Sequence, residues 1–373
     1  MLQSFRYLFF PFSFLYGLII RTRNFLFDRK ILASTQFHFP LICVGNLAMG
    51  GTGKTPMVEE IIRMLINEKK IAVLSRGYMR KSKGVVFAAA DCTAIDIGDE
   101  PMQIHQKFPD VVLAVSEERL VGIPQILHQF PQTEVIVLDD AFQHRKVQAG
   151  LNIMLTEYSN LFTRDYMFPV GDLRDERKSS KRAEIIVITK SPTSLDQLTK
   201  EKMIKEVRSD QKQKIFFTSI SYSQPSHLFS QENIKLDANQ HVLLVSGIAN
   251  PEPLKKYLTE KVASFEMLRY RDHHIFTTDD LNDIKNTFER MSEDKKIMIT
   301  TEKDAVRLQK FRREIEGFPI YVLPIRHEFH DAGEQDFKRI LLNYIKQTKR
   351  SEEHTSELQS RQYLVCRLLL EKK

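Results

Sequence analysis

The chain has 373 residues, of which 42% are hydrophobic and 28% charged, a balance that excludes wholesale disorder and leaves room for two domains with cores of their own. Its formal net charge of +7 favours anionic partners such as a nucleotide, a phosphorylated substrate or an acidic membrane. Nucleic acid is disfavoured, because the sequence carries no recognition motif and no Lys/Arg stripe interleaved with aromatics.

Residues 5–20 read FRYLFFPFSFLYGLII, with Arg6 the one charge, and Arg21, Arg23, Arg29 and Lys30 follow. A cleaved signal peptide fits poorly, since the basic flank comes after the apolar run and no small-residue cleavage site follows. A full transmembrane span needs about 20 apolar residues, and this run is shorter and broken by Pro11. Residues 1–30 are therefore expected to hold a helix lying at a membrane surface, its basic side toward the cytoplasmic leaflet. A buried core helix is the plainer alternative.

Next comes an apolar run, Pro40 to Val44, leading into Val44-Gly45-Asn46-Leu47-Ala48-Met49-Gly50-Gly51-Thr52-Gly53-Lys54-Thr55, with an amphipathic run from Pro56 to Lys69 after it. Strand, glycine-rich loop and helix in that order place backbone N–H groups at a helix N-terminus, where they cradle phosphates. Ala48 to Thr55 are the expected nucleotide-binding residues. Lys54 reaches the β/γ-phosphates and the Thr55 hydroxyl serves Mg²⁺. The strict G-x-x-x-x-G-K-[ST] pattern asks for glycine where Ala48 stands, so the residues alone leave a flexible turn with a chance lysine as the weaker reading.

Apolar runs at Ile71–Ser75, Val111–Val115, Val135–Asp139, Leu151–Thr156 and Glu184–Thr189 read as strands, and Thr55–Asn67 and Glu117–Gln129 as helices. The spacing predicts a phosphate-loop-type, doubly wound α/β domain over residues 31–220, its sheet mostly parallel and covered on both faces. Ser191–Leu236, rich in Lys, Gln and Ser, reads as a junction. His241–Ser246, Ser264–Leu268, Lys296–Thr300 and Ile320–Leu323 then alternate with helices at Pro251–Leu258, Asp279–Met291 and Gln335–Lys346, predicting a smaller α/β domain over 221–349. Residues 350–373 do not continue the helical pattern; they resemble translated sequencing-adapter read-through and are expected to be a non-native tail. Cys43, Cys92 and Cys366 are odd in number and widely spaced, pointing to a reducing compartment and away from a zinc site.

Several residues could carry chemistry. Asp139 and Asp140 end an apolar strand, the usual place for a Mg²⁺-holding carboxylate, with a helix cap or turn as the plainer alternative. His144, in the donor-rich loop behind them, could be catalytic or structural. Asp99 opens a helix and by itself could be only an N-cap. Arg271-Asp272-His273-His274 offers an imidazole beside a carboxylate, suited to accept a hydroxyl proton near neutral pH, although paired histidines are more often surface residues. Arg76, Arg119 and Arg174 fall near the carboxyl-end crevice and suit phosphate contacts, each with a surface ion pair as its alternative.

Taken together, VGNLAMGGTGKTP (44–56), SRGY (75–78), GDEP (98–101), LDDAFQHR (138–145), GDLRDER (171–177), RAEIIVITK (182–190), GIANP (247–251), DHHIF (272–276) and TTEKDAVRL (300–308) make the chain resemble the tetraacyldisaccharide 4′-kinases of lipid A synthesis. The resemblance runs to about Lys346, and alanine in place of the first loop glycine belongs to that family's pattern. It implies transfer of the ATP γ-phosphate to the 4′-hydroxyl of a membrane-embedded acylated glucosamine disaccharide 1-phosphate, at the cytoplasmic face of the inner membrane. It further implies an Asp99–His273 catalytic dyad, Mg²⁺ served by Thr55, Asp139 and Asp140, and Arg119 and Arg174 on the substrate side. The family's glutamate after the latter arginine appears here as Asp175 with Glu176 behind it, and either could take that role. Two other classes compete: a membrane-associated NTPase acting as switch or metal chaperone, and a soluble small-molecule kinase whose N-terminus is core.

Overall fold

The computed structural model describes residues 6–292 and 294–353. Nine strands form the main sheet, in the spatial order Ile325–Phe329, Lys214–Tyr222, Ile185–Thr189, Leu151–Glu157, Leu41–Asn46, Val135–Asp139, Ile71–Ser75, Val112–Val115, Val86–Phe87. The seven inner strands run parallel, and the two edge strands are antiparallel to their neighbours. Every residue of Leu41–Asn46, Ile71–Ser75, Val135–Asp139 and Ile185–Thr189 is buried. Continuous apolar runs of this kind form central strands because helices cover both faces.

One face is packed by the helix Lys54–Leu65 through Met57, Val58, Ile61, Ile62 and Leu65, and by the C-terminal helix Gly333–Glu353 through Phe337, Leu341 and Ile345. The other is packed by Arg119–Gln129 through Ile123 and Ile126, and by Gln197–Val207 through Met203 and Val207. A five-stranded sheet lies beyond, ordered Ser226–His227, Ile320–Leu323, Lys296–Thr301, His241–Ser246, Ser264–Arg269. Its last four strands are parallel, with the helices Glu252–Lys261 and Thr278–Arg290 supplying buried Leu254, Leu258, Leu281, Ile284 and Phe288.

Two expectations need correction. The Lys- and Gln-rich stretch read as a junction contains the strand Lys214–Tyr222, which belongs to the large sheet. The chain also returns to that sheet at its end, because Ile325–Phe329 pairs with Lys214–Tyr222 and the following helix docks on the phosphate-loop helix's face. The apolar stripe of Phe337, Leu341 and Ile345 decides this, since it closes a core that the helix Lys54–Leu65 alone leaves open. That helix runs past the expected boundary at 350 as far as Glu353; the rest of the expected tail, from 354 onward, lies outside the described residues.

At the other end, a single helix covers Phe10–Asp28. One side is docked: Ser13 donates to the Met167 carbonyl at 2.7 Å, Tyr16 to the Arg174 carbonyl at 3.2 Å, and Asn24 to Asp175 at 2.8 Å and Glu176 at 3.0 Å. Arg6, just before it, pairs with Asp172 at 2.7 Å. The other side leaves Phe10, Phe12, Phe14, Leu15, Leu18, Ile19 and Phe25 exposed. The core-helix alternative fails on that burial pattern. No described helix is long and apolar enough to cross a membrane.

Phe337 sits with its ring 5.3 Å from Phe216 and 4.9 Å from Phe329 and is fully buried. Phe337→Ala is expected to cost ~3–5 kcal/mol, seen as a lower midpoint of denaturant unfolding with an unchanged slope. A midpoint equal to the parent's would show that the C-terminal helix does not hold this core.

Candidate active site

Parallel pairing sets Val44 opposite Asp139, so the phosphate loop and the two aspartates leave adjacent central strands at the same edge. The approach is close: a Cβ added to Gly45 would stand 2.6 Å from the Phe142 Cβ. The loop itself turns through Gly50 and Gly53, whose φ values of 101° and 86° lie in the left-handed region that glycine tolerates. The next residue, Lys54, begins the helix, so its N-terminal N–H groups point into the loop.

The loop is tied down from several sides. Asn46 donates to the Thr52 hydroxyl at 2.9 Å, and the Thr189 hydroxyl to the Thr52 carbonyl at 2.9 Å. His327, from the edge strand Ile325–Phe329, lies within 2.9 Å of the Gly53 carbonyl through Nε2 and of the Thr218 hydroxyl through Nδ1. A carbonyl only accepts, so Nε2 carries the proton and Nδ1 accepts from Thr218. Burial pushes the His327 pKa down to about 4, against the pull of the Gly53 carbonyl, which keeps the ring neutral. No sequence signal marked this histidine, a lone imidazole on a strand more than 270 residues from its partner.

Asp139 is 1% exposed and accepts from the Ser75 hydroxyl at 2.9 Å. Burial, with the nearby Glu100 and Asp140 charges, pushes its carboxyl up to about 7. Asp140, at φ 46°, turns back over the loop, 3.9 Å from the Lys54 Nζ, and takes both Nη atoms of Arg174. Burial raises its pKa, but Lys54 and Arg174 outweigh that and hold the carboxyl below its usual value. A buried carboxylate whose side-chain partner is the Ser75 hydroxyl suits a hard divalent cation, whose charge would reverse the rise at Asp139. Among the described residues no cluster of three His, Cys, Asp or Glu side chains could hold a metal unaided.

The three expected substrate arginines differ in place. Arg76 is exposed at the exit of its strand. Arg174 is pinned to Asp140 and donates to Asn46 Oδ1 at 2.5 Å. Arg119 is 2% exposed and donates to the carbonyls of Asp139 at 3.0 Å and Ser116 at 3.3 Å. Two of its guanidinium nitrogens hold up the aspartate turn, and its buried Nε has no hydrogen-bond partner among the described residues. Asp175 and Glu176 are likewise engaged, Asp175 with Arg182 at 2.8 Å and both with Asn24 of the N-terminal helix. His144 is half-buried, its pKa lowered to about 4 by burial and by Arg119.

Across the crevice the two sheets meet at Asp99. Gly98, at φ 95°, starts the helix Asp99–Lys107. His273, from the loop after the strand Ser264–Arg269, brings Nδ1 to 3.3 Å from Asp99 Oδ2. Arg307, buried on the helix Glu302–Leu308, donates to the same oxygen from Nε at 3.0 Å and from Nη2 at 2.5 Å. Burial raises the Asp99 pKa, but its contacts with His273 and Arg307 overcome that and hold the carboxyl at about 2. Asp99 and His273 thus meet although 174 positions apart. The neighbouring His274 instead faces Asp280 at 2.9 Å and stacks on Tyr270. Arg307 escaped the sequence reading as a separate candidate; its signal was its place in the motif TTEKDAVRL, after an apolar strand.

Known relatives cover nearly the whole chain. The sequence matches the tetraacyldisaccharide-1-P 4′-kinase family over residues 5–346. The chain belongs to that family. A Flavobacterium johnsoniae protein named tetraacyldisaccharide 4′-kinase is 45% identical, the match covering 92% of this chain and 98% of the relative. A Bacteroides thetaiotaomicron protein of the same name is 39% identical, with 92% and 94% covered. Among solved structures, LpxK from Aquifex aeolicus, crystallised in complex with ATP, superposes with a TM-score of 0.72 at 27% identity over 92% of this chain and 99% of that one. The phosphate-loop fold with a second α/β sheet is therefore the family's architecture, and this chain is a kinase of that family.

The His327 contact gives a pH test. Its pKa is about 4 when folded, against the ordinary value of 6.5, so the unfolded chain binds the extra proton between those values. Stability contributed by the neutral ring is complete above the unfolded pKa and falls as pH drops toward 4. His327→Gln, which retains a donor for the Gly53 carbonyl, should flatten the decline in melting temperature over that window. An unchanged acid slope would show that His327 is not buried neutral.

Proposed function

We propose that this chain transfers the γ-phosphoryl group of ATP to the 4′-hydroxyl of an acylated glucosamine disaccharide 1-phosphate. The observation that carries the reading is the meeting of His273 and Asp99 across the crevice from the phosphate loop. A kinase acting on an alcohol needs a positioned proton acceptor, whereas a hydrolytic switch or metal chaperone does not need one held to a carboxylate. Family membership supports the same acceptor.

Phosphoryl transfer asks mainly for positioning and charge neutralisation. Backbone N–H groups of the Ala48–Thr55 loop hold the phosphates of ATP, apart from those of Met49 and Thr52, which donate to the Asp172 and Gly50 carbonyls. Lys54 neutralises charge on the β/γ-phosphates, and Asp140 keeps its ammonium at the mouth of the loop. Thr55, Asp139 and Asp140 would hold Mg²⁺, which would neutralise charge on the phosphates. His273 takes the 4′-hydroxyl proton while Asp99 orients its ring. Arg76, open at the crevice edge, is the arginine placed for the acceptor's own phosphate.

The acceptor is a lipid, and the N-terminal helix suits it. Its exposed aromatic side is a contiguous apolar patch of the kind that marks an interaction surface. Its docked side rests on residues 167–176, the same segment that carries Arg174 to Asp140. A chain seated this way on the cytoplasmic face of the inner membrane holds its crevice beside the bilayer.

With γ-labelled ATP, Mg²⁺ and the disaccharide 1-phosphate lipid in detergent, label should enter the lipid, and Lys54→Ala should slow that by ~10²-fold or more. Phosphate release without labelled lipid would favour the switch or chaperone. Separately, Phe12→Ser, Phe14→Ser and Leu18→Ser together should abolish co-sedimentation with anionic vesicles while leaving the melting temperature unchanged. Retained vesicle binding would remove the membrane role of that face.

A further inference from the structure

Arg307 does more than neutralise Asp99. Its Nη2 lies 2.9 Å from His273 Nδ1, closer than the 3.3 Å between that nitrogen and Asp99 Oδ2. A guanidinium only donates, so Nδ1 must accept there, and the ring proton then resides on Nε2. In that form neither ring nitrogen can take a hydroxyl proton, because Nε2 already bears one and Nδ1 is covered.

A second resting place for the guanidinium is built into the same helix. Nη1 of Arg307 stands 3.6 Å from Asp304 Oδ1, too long for a hydrogen bond, and neither atom has another hydrogen-bond partner among the described residues. Both are buried, where an unmet donor and an unmet acceptor each carry a cost. Asp304 is otherwise fixed: Oδ2 accepts from the Gly247 N–H at 3.0 Å and from the Thr301 hydroxyl at 2.7 Å. A sub-ångström shift of the guanidinium toward Oδ1 would satisfy both atoms and draw Nη2 off Nδ1, while Nε stays on Asp99.

We propose that Arg307 is a positioning residue that sets the His273 tautomer: shared between Asp99 and Nδ1 it holds the ring in its Nε2–H form, and drawn onto Asp304 it lets Nδ1–H donate to Asp99 and frees Nε2 to act as the base. The balance is simple. The proton leaves Nε2 for solvent, one is taken up at Nδ1, and the ring stays neutral. The groups facing the ring are Asp99 and Arg307, the edge of Tyr78 at 6.1 Å between centroids, and Asp272, which accepts from the His273 backbone N–H at 3.1 Å. This rests on the kinase reading, but its test does not need turnover.

Long-range ¹⁵N–¹H spectra of histidine-labelled full-length protein report which ring nitrogen is protonated, with His273→Ala giving the assignment. The resting protein should show His273 in the Nε2–H form. Arg307→Lys keeps a cation for Asp99 but has one nitrogen where the guanidinium has three, so it should move the ring to the Nδ1–H form. Arg307→Ala should do the same and lower kcat by ~10²-fold through loss of Asp99 positioning, with the KM for ATP unchanged. A resting ring already in the Nδ1–H form, or one whose tautomer is the same in the parent and in Arg307→Lys, overturns the proposal even if the lipid is phosphorylated. Loss of labelled lipid from the parent protein would instead overturn the kinase reading, whatever the tautomer.

Discussion

Arg307 reaches from the five-stranded sheet to a carboxylate on the nine-stranded one, and its side chain is only 7% exposed. Neither sheet alone presents both Asp99 and His273, so the proton-accepting half of the site exists only while this contact does. Removing one member of a buried charge pair is costly because the other is left without a partner. The surrounding joint is built the same way. Lys107 lies between Glu59 of the phosphate-loop helix and Glu302 of the smaller sheet. Burial and the Glu59 charge push the Glu302 carboxyl up to about 7, so Lys107 only partly offsets its isolation from water. Charges that are dear to bury and paired across one seam specify its register more than they add stability.

The second organising contact is the Arg174 side chain on Asp140 and Asn46. Its backbone carbonyl accepts from Tyr16 on the N-terminal helix, and its N–H donates to the Leu47 carbonyl at the start of the phosphate loop. One residue therefore joins the helix bearing the exposed aromatic face, the loop that holds phosphates and the strand-end carboxylates. Its planar fork holds two acceptors in a fixed geometry, which a lysine's single rotating nitrogen would not. The proposed lipid-facing surface and the chemistry are thus coupled through the backbone and side-chain hydrogen bonds of one residue.

Much of this was legible in the chain. The strands Ile71–Ser75, Val135–Asp139, His241–Ser246 and Ile320–Leu323 have the bounds that their apolar runs suggest. Buried parallel strands cannot alternate, so their composition announces them. Lys214–Tyr222 was hidden because it lies next to the edge of the sheet and only its middle is buried, which leaves it free to carry Lys and Ser. Arg119 was legible only in part: a sequence shows an arginine near a crevice, but not that two of its guanidinium nitrogens are held by backbone carbonyls.

What the sequence by itself determined is the local chemistry: a glycine-rich turn between a buried strand and a helix, two carboxylates at the end of an apolar run, and a set of motifs specific enough to name the family. Those features follow from short-range steric and hydrophobic rules, which act within a few residues. Only the tertiary structure decided which distant groups meet. Asp99 with Arg307, His327 under Gly53, and Asn24 on Asp175 join residues between 151 and 274 positions apart. Such pairings depend on how two sheets and a terminal helix bury their apolar faces against one another, and no local pattern in the chain encodes that.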